Sequence, residues 1–294
     1  MKQLKVIAIV VTYNRDNYLK ELLTSLLNQT VKPNGLIIVD NNNSKMINES
    51  LNDENIIYIK NNANLGCSEG FTIGIKKALE LKPDYLWLFD DDVFPKENAL
   101  EELIKNIKPK TILQPVRMSL DSKLVESTCL KFNLSNPFKN NPRELIISQI
   151  YNYENLPEKK ELNDFTFEGV LLPFKLVEDI GFVNNNFFIF CDDTDYAIRA
   201  INAGYKIFLI KNSIIYRQLP LQTQITDWKE YYLNRNMYYI YKNYGKNLLI
   251  KLKPELHSFS KILYLLLTFQ FKRIKKVFYA YIDYKLKKFP IRFL

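Results

Sequence analysis

Three consecutive carboxylates, Asp90, Asp91 and Asp92, stand where an apolar run ends (YLWLFDDD, residues 85–92). Neighbouring carboxylates repel one another unless a cation balances them, and hard oxygen ligands of this kind suit Mg2+ or Mn2+ shared with a diphosphate. The competing reading is an acidic loop that caps a helix starting near Pro95. A second acidic group, Asp192, Asp193 and Asp195, follows apolar residues 187–190, with Glu168 and Gly169 upstream. A helix beginning near Thr194 would explain one of these aspartates as its N-cap. A pair in a partly apolar pocket has a further use, as a general base for a hydroxyl nucleophile.

Smaller polar clusters accompany them. Thr12, Tyr13, Asn14 and Arg15 could hold a nucleotide by stacking, hydrogen bonding and charge. Asp40, in Asp40-Asn41-Asn42-Asn43-Ser44, could accept hydrogen bonds from a pyrimidine, although such turns also form for local reasons. Asn64, Gly66 and Gly70 make a small-residue turn before a helix, where backbone amides could approach phosphate or ribose. Other chemistries are poorly supplied. His257 is the one histidine, which argues against a histidine triad, a zinc site or a histidine base, and neither GxxxxGK[ST] nor GxGxxG occurs.

These clusters need elements that place them together. Residues 5–12 (KVIAIVVT), 36–39, 56–59 and 85–89 read as buried strands, and residues 18–27 and 70–81 as helices between them. Strands alternating with helices predict an α/β fold with a mostly parallel sheet, whose ligands bind beyond the carboxyl ends of the strands. All the polar clusters fall at that end. The rhythm breaks across residues 117–163, which are polar and assigned to no element, an expected acceptor-side region. It resumes with an apolar run at 165–172, helices at 173–180 and 192–203, a strand at 205–210 and a Tyr- and Asn-rich helix at 231–244.

In order, VVTYNR (10–15), IIVDNNNS (37–44), NLGCSEGF (64–71), WLFDDDVFP (87–95), FEGVLLP (167–173), FFIFCDDTDYAIRAINAGYKI (187–207) and YYLNRN (231–236) resemble an inverting family 2 glycosyltransferase of the GT-A fold. The closest flavour is that of bacterial galactofuranosyl and rhamnosyl transferases. The resemblance implies a Rossmann-like nucleotide-diphospho-sugar domain over residues 1–245 with a UDP-sugar or dTDP-sugar donor. It assigns the nucleotide to Thr12, Tyr13, Arg15, Asp40 and Asn64, the donor to Asp90 and Asp91, and Mn2+ or Mg2+ to Asp90 and Asp92. In the pair Asp192 and Asp193, the second member is the expected catalytic base. One departure stands out: many relatives carry a metal-binding histidine where this chain has Arg217 or Gln218. Arg cannot ligate a cation, so Arg217 is expected to contact the diphosphate directly. A catalytically weak homologue that binds sugars or partner proteins is the rival reading.

Apolar residues make up 47% of the 294, ample for a packed core. Residues 251–294 hold eleven Lys or Arg against Glu255 and Asp283, a net +9 that equals the charge of the whole chain. In residues 246–294 these cations interleave with Leu, Ile, Phe and Tyr, predicting a helical tail that lies on the inner face of an anionic membrane, near a glycan or lipid-linked glycan acceptor. A helical hairpin packed on the catalytic domain is the alternative, and nucleic acid is not an expected partner. The longest uncharged apolar stretch, residues 262–271, is about half of what spans a bilayer. Cys67, Cys129 and Cys191 show no metal-ligand spacing, and together with the absence of a leader pattern they point to the cytoplasm.

Overall fold

β1 (Val6–Thr12) is buried along its whole length. Successive side chains leave a strand on opposite faces, so Ile7, Ile9 and Val11 enter one apolar layer and Val6, Ala8 and Val10 the other. α1 (Asp16–Leu27) covers the second layer with Leu19, Leu22 and Leu26. α2 (Gly66–Leu81) covers the first with Phe71, Ile75 and Ala78. The computed structural model describes residues 4–42, 54–139, 141–219 and 228–293. Asn43 and Ser44 of the polar turn, and Leu294 of the tail, lie outside the described residues.

β2 (Gly35–Asp40), β3 (Ile56–Lys60) and β4 (Tyr85–Asp90) complete a parallel unit in the order β3-β2-β1-β4. Near Pro95, where a helix start was one reading, the chain forms β5 (Val93–Pro95), and α3 (Ala99–Ile104) begins later. β6 (Thr111–Ser119), β7 (Cys129–Phe132), β8 (Arg143–Ile146) and β9 (Lys159–Leu162) occupy the stretch that the sequence left unassigned. β10 (Glu168–Pro173) inserts antiparallel between β4 and β6. It leads into α4 (Phe174–Ile180) and α5 (Asp192–Asn202). The expected strand at 205–210 is the first half of β11 (Lys206–Arg217), which continues after a register shift between Ile210 and Ile214. The sheet order is β3-β2-β1-β4-β10-β6-β11-β5, with β9 paired to β11 off this path.

α6 (Lys229–Tyr244) carries the tail. α7 (Lys253–Leu267) and α8 (Phe271–Lys285) pack on each other and on α6. Glu230 of α6 pairs with Lys261 at 2.9 Å and Arg273 at 2.7 Å. The Tyr231 hydroxyl donates to Asp283 at 2.7 Å, and Arg292 pairs with the same carboxylate. Among the described residues no helix is long and apolar enough to cross a membrane.

Candidate active site

The register of the parallel strands sets the site: Thr12 stands beside Asp40, and Val11 beside Asp90. Thr12, Tyr13, Arg15, Asn64, Asp90, Asp91, Asp92, Asp192, Asp193 and Arg217 all line one cleft of about 1050 Å³. Acidic groups about a hundred residues apart in sequence thus face the same space. Asp40 is not among the described lining residues. It is 1% exposed, accepts from the Tyr58 hydroxyl at 2.7 Å and from the Asn42 amide at 2.8 Å, and closes the end of β2.

The three adjacent aspartates have separate environments. Asp91 is held by the protein itself, accepting from Thr12 Oγ1 (2.8 Å), Tyr13 N (3.1 Å) and Arg15 Nη1 (2.8 Å). The same Arg15 nitrogen lies 3.0 Å from Asp92. Among the described residues Asp90 has no ion pair; the Cys67 thiol donates to it at 3.2 Å. Burial first, then Asp92, Glu168 and Asp192, lift the Asp90 pKa well above the carboxylate range. Asp92 is raised by burial and then by Glu168, against Arg15. A buried carboxylate without an ion pair among the described residues, beside a second that shares one arginine with Asp91, fits a divalent cation, and among the described residues no set of three ligands holds one alone. Such a pair suits an ion completed by phosphate oxygens.

The second acidic group sits in the first turn of α5, with Cys191 instead of an aspartate as its N-cap. Asp192 accepts from Ser68 Oγ at 3.1 Å, and burial and then Asp193 push its pKa up. Asp193 Oδ1 accepts from the Thr194 amide (2.6 Å) and hydroxyl (3.2 Å), whereas its Oδ2 has no partner among the described residues. Thr194 Oγ1 in turn accepts from Arg143 Nη2 at 3.0 Å, so an arginine on β8 steadies the pair through Thr194. Arg217 Nη1 is bound to Glu168 at 3.0 Å, and its Nε is buried with no partner among the described residues.

The segment before α5 is strained. Phe188, Phe190 and Cys191 have φ of 65°, 66° and 64°, a region non-glycine residues avoid. Asn236, fully buried on α6, donates from Nδ2 to the carbonyls of Phe187, Ile189 and Phe190 at 3.0, 2.9 and 2.9 Å. Arg235 Nη2 donates to the carbonyls of Asn186 and Phe187, and its Nη1 to that of Pro290 at 3.2 Å. Gly66, at φ +82°, lets the Cys67 amide reach the Phe188 carbonyl at 2.8 Å; a Cβ there would lie 2.3 Å from that oxygen. Sequence reasoning assigned Arg235 and Asn236 no task. The one signal was a buried-type aromatic helix carrying an Arg-Asn pair. His257, on α7, faces α6 and lines the cleft, its Nδ1 2.9 Å from the Tyr238 hydroxyl.

Comparisons with known proteins bear on the family and the fold. The model described as glycosyl transferase family 2 matches residues 7–181. A galactofuranosyltransferase GlfT1 of Mycolicibacterium smegmatis is 36% identical over 97 residues, 32% of this chain and 32% of that protein. GlfT1 of Mycobacterium tuberculosis is 28% identical over 206 residues, 68% of this chain and 65% of its own length. The chain thus aligns with less than two thirds of either relative. A crystal structure of GalNAc-T7 with UDP, GalNAc and Mn2+ superposes with a TM-score of 0.59 at 13% identity, covering 87% of this chain and 55% of that one. S. aureus TarS 1–349 in complex with UDP gives 0.54 at 13% identity, covering 99% and 94%. Those likenesses show the GT-A fold. With the family model spanning more than half of the sequence, the chain belongs to glycosyl transferase family 2.

Proposed function

We propose that the chain transfers a sugar, galactofuranose first and rhamnose second, from a UDP or dTDP donor to a surface-polysaccharide or lipid-linked glycan acceptor with inversion at the anomeric carbon. The observation that carries this reading is the convergence of Asp90–Asp92 and Asp192–Asp193 on one cleft. The preference for galactofuranose rests on the relatives that are galactofuranosyltransferases.

Asp193 Oδ2, without a partner among the described residues, takes the proton from the acceptor hydroxyl, whose oxygen attacks the anomeric carbon as the bond to the diphosphate breaks. Asp192, kept in place by Ser68, backs the base, and Thr194 with Arg143 fixes its rotamer. Arg15 and the unpartnered Nε of Arg217 offer donors to the departing phosphates. Thr12, Tyr13 and Asn64 receive the nucleotide. Mg2+ or Mn2+ held by Asp90 and Asp92 would supply Lewis-acid charge to the leaving diphosphate.

Residues 1–245 form the catalytic domain in this reading and residues 246–294 an appendage that meets the cytoplasmic face of the membrane. Exposed Leu256, Phe259, Leu263 and Leu267 repeat along α7, and Phe269 and Phe271 follow at its end, close in sequence to Lys272 and Lys275. That combination fits an interfacial helix over anionic headgroups.

The test is nucleotide release from a panel of nucleotide sugars, with and without Mn2+, for the native chain and Asp193→Asn. A positioned base contributes about 10²- to 10⁴-fold. Asp193→Asn is therefore expected to lose that factor in turnover while retaining UDP binding. Equal release by both chains would sink the assignment of the base. No release by either chain, with UDP still bound, would favour the rival homologue that binds without transferring, for which Arg217 in place of histidine is the motive.

A further inference from the structure

The antiparallel ribbon of β7 and β8 sets Phe132 opposite Arg143, and both residues line the cleft. Residues directly opposite in such a pair put their side chains on the same face, so a ring and a guanidinium stand side by side there. Two of the three guanidinium nitrogens are engaged. Nε donates to Asp164 Oδ2 at 2.8 Å and Nη2 to Thr194 Oγ1 at 3.0 Å, while Nη1 has no hydrogen bond among the described residues. The Arg143 side chain is 29% exposed, so Nη1 is the donor left for a ligand.

The base fixes where that donor stands. Thr194 Oγ1, which accepts from Arg143, lies 3.2 Å from Asp193 Oδ1, so the guanidinium is within two hydrogen-bond lengths of the carboxylate assigned to deprotonate the acceptor. A sugar whose attacking hydroxyl meets Asp193 has its neighbouring hydroxyl within the same span. Charge selects the kind of oxygen. Asp164, 1% exposed, already balances Arg143, and Asp193 stands beside it, so a further anion would be repelled. An uncharged hydroxyl accepts from Nη1 without that cost, and the Phe132 ring offers apolar surface to the same sugar.

We propose that Phe132 and Arg143 form the subsite that orients the acceptor, with Arg143 Nη1 donating to an uncharged hydroxyl next to the attacking one and Phe132 lying against the same sugar ring. The acceptor class is a neutral sugar unit with two adjacent free hydroxyls. This inference rests on the transferase reading and adds a direct contact with substrate to the support that Arg143 gives the base through Thr194.

The experiment titrates octyl galactofuranoside, octyl rhamnoside, octyl glucoside and octyl glucuronide into the UDP-loaded full-length chain, together with deoxy analogues of the tightest binder that each lack one hydroxyl. A neutral glycoside is expected to bind at least as tightly as the glucuronide. One deoxy analogue should lose about tenfold or more, as for one hydrogen bond to a charged donor. In Arg143→Met the parent glycoside weakens by the same factor, that analogue loses nothing further, and UDP affinity is unchanged. Phe132→Leu also weakens the neutral glycosides. A role confined to Thr194 would instead lower kcat and leave acceptor affinity and KM as they are, which would overturn the proposal. So would tighter binding of the glucuronide than of every neutral glycoside, equal affinity across the deoxy series, or no glycoside binding by the native chain. The deoxy series needs no variant and decides the matter if Arg143→Met does not fold. Nucleotide release in the same samples separates the two readings: glycoside binding without release refutes transfer and leaves the subsite, whereas release with acceptor binding indifferent to Arg143 refutes the subsite alone.

Discussion

Removing the Asn236 side chain is the sharpest perturbation of the loop that delivers Asp193. Its Nδ2 has two hydrogens aimed at three carbonyls, at 3.0, 2.9 and 2.9 Å, and its Oδ1 accepts from Arg235 Nε at 3.0 Å. Asn236→Ala leaves about two buried carbonyls without a donor, at about 1–3 kcal/mol each. The backbone it restrains, with left-handed Phe188, Phe190 and Cys191, stores about 1–3 kcal/mol per residue and relaxes once released. Part of the first cost is thereby offset, and a net destabilisation of about 2–4 kcal/mol is expected. A reacting group displaced by about 1 Å costs about 10²-fold in rate, so turnover should fall by that order while UDP affinity holds. Urea unfolding at constant slope measures the first quantity and initial rates the second. Asn236→Asp separates hydrogen bonding from packing: it keeps the shape and sets a carboxylate against three carbonyls, so it must be worse than alanine. If Asn236→Asp were as stable and active as the native chain, the clamp reasoning would be wrong.

The remaining expectations concern stability. Burial first, then Lys261 and Lys253, push the His257 pKa down to about 4, so the unfolded chain takes up a proton that the folded chain refuses as pH falls from about 6.5 to 4. The full shift corresponds to about 3 kcal/mol, cut to roughly 1–2 by partial solvent access. Urea midpoints should therefore fall more steeply through that window for the native chain than for His257→Gln, and parallel curves would refute it. Glu126, fully buried, accepts from Arg117 Nη2 at 2.6 Å, so Glu126→Ala should cost about 3–5 kcal/mol by leaving a buried guanidinium half paired. Gly66→Ala forces a Cβ against the Phe188 carbonyl at positive φ, with an expected loss of more than about 1 kcal/mol together with reduced turnover. A neutral result in unfolding and rate assays would mean that the 64–67 turn and the catalytic loop do not bear on each other.

What the sequence revealed follows burial. β1 and β4 were legible because strands buried on both faces are unbroken apolar runs, and the aspartates that end them need no tertiary knowledge to be noticed. β6 through β9 were not, because Arg117 and Glu126 cancel each other inside the protein yet read as loop residues when seen one at a time. The 192–203 reading gave the start of α5, whereas the start near Thr194 that would make an aspartate the N-cap did not hold, because Cys191, with no side-chain cap, occupies the N-cap in a left-handed conformation. The hydrogen bond that Asp40 accepts from Tyr58 was not legible, because Tyr58 stands on another strand and nothing in the neighbours of Asp40 announces it. The clamp was invisible for a related reason: Asn236 and the carbonyls it serves are brought together by the packing of α6 alone.

The contact between Arg235 and the Pro290 carbonyl ties the support of the catalytic loop to the far end of the tail. A chain that stops at residue 245 holds every described strand of the sheet and both acidic groups, while the guanidinium that steadies the catalytic loop lacks one of its partners. The tail thus completes the partners of Arg235, while the other Arg235 contacts and the Asn236 clamp on the same loop lie wholly within residues 186–236.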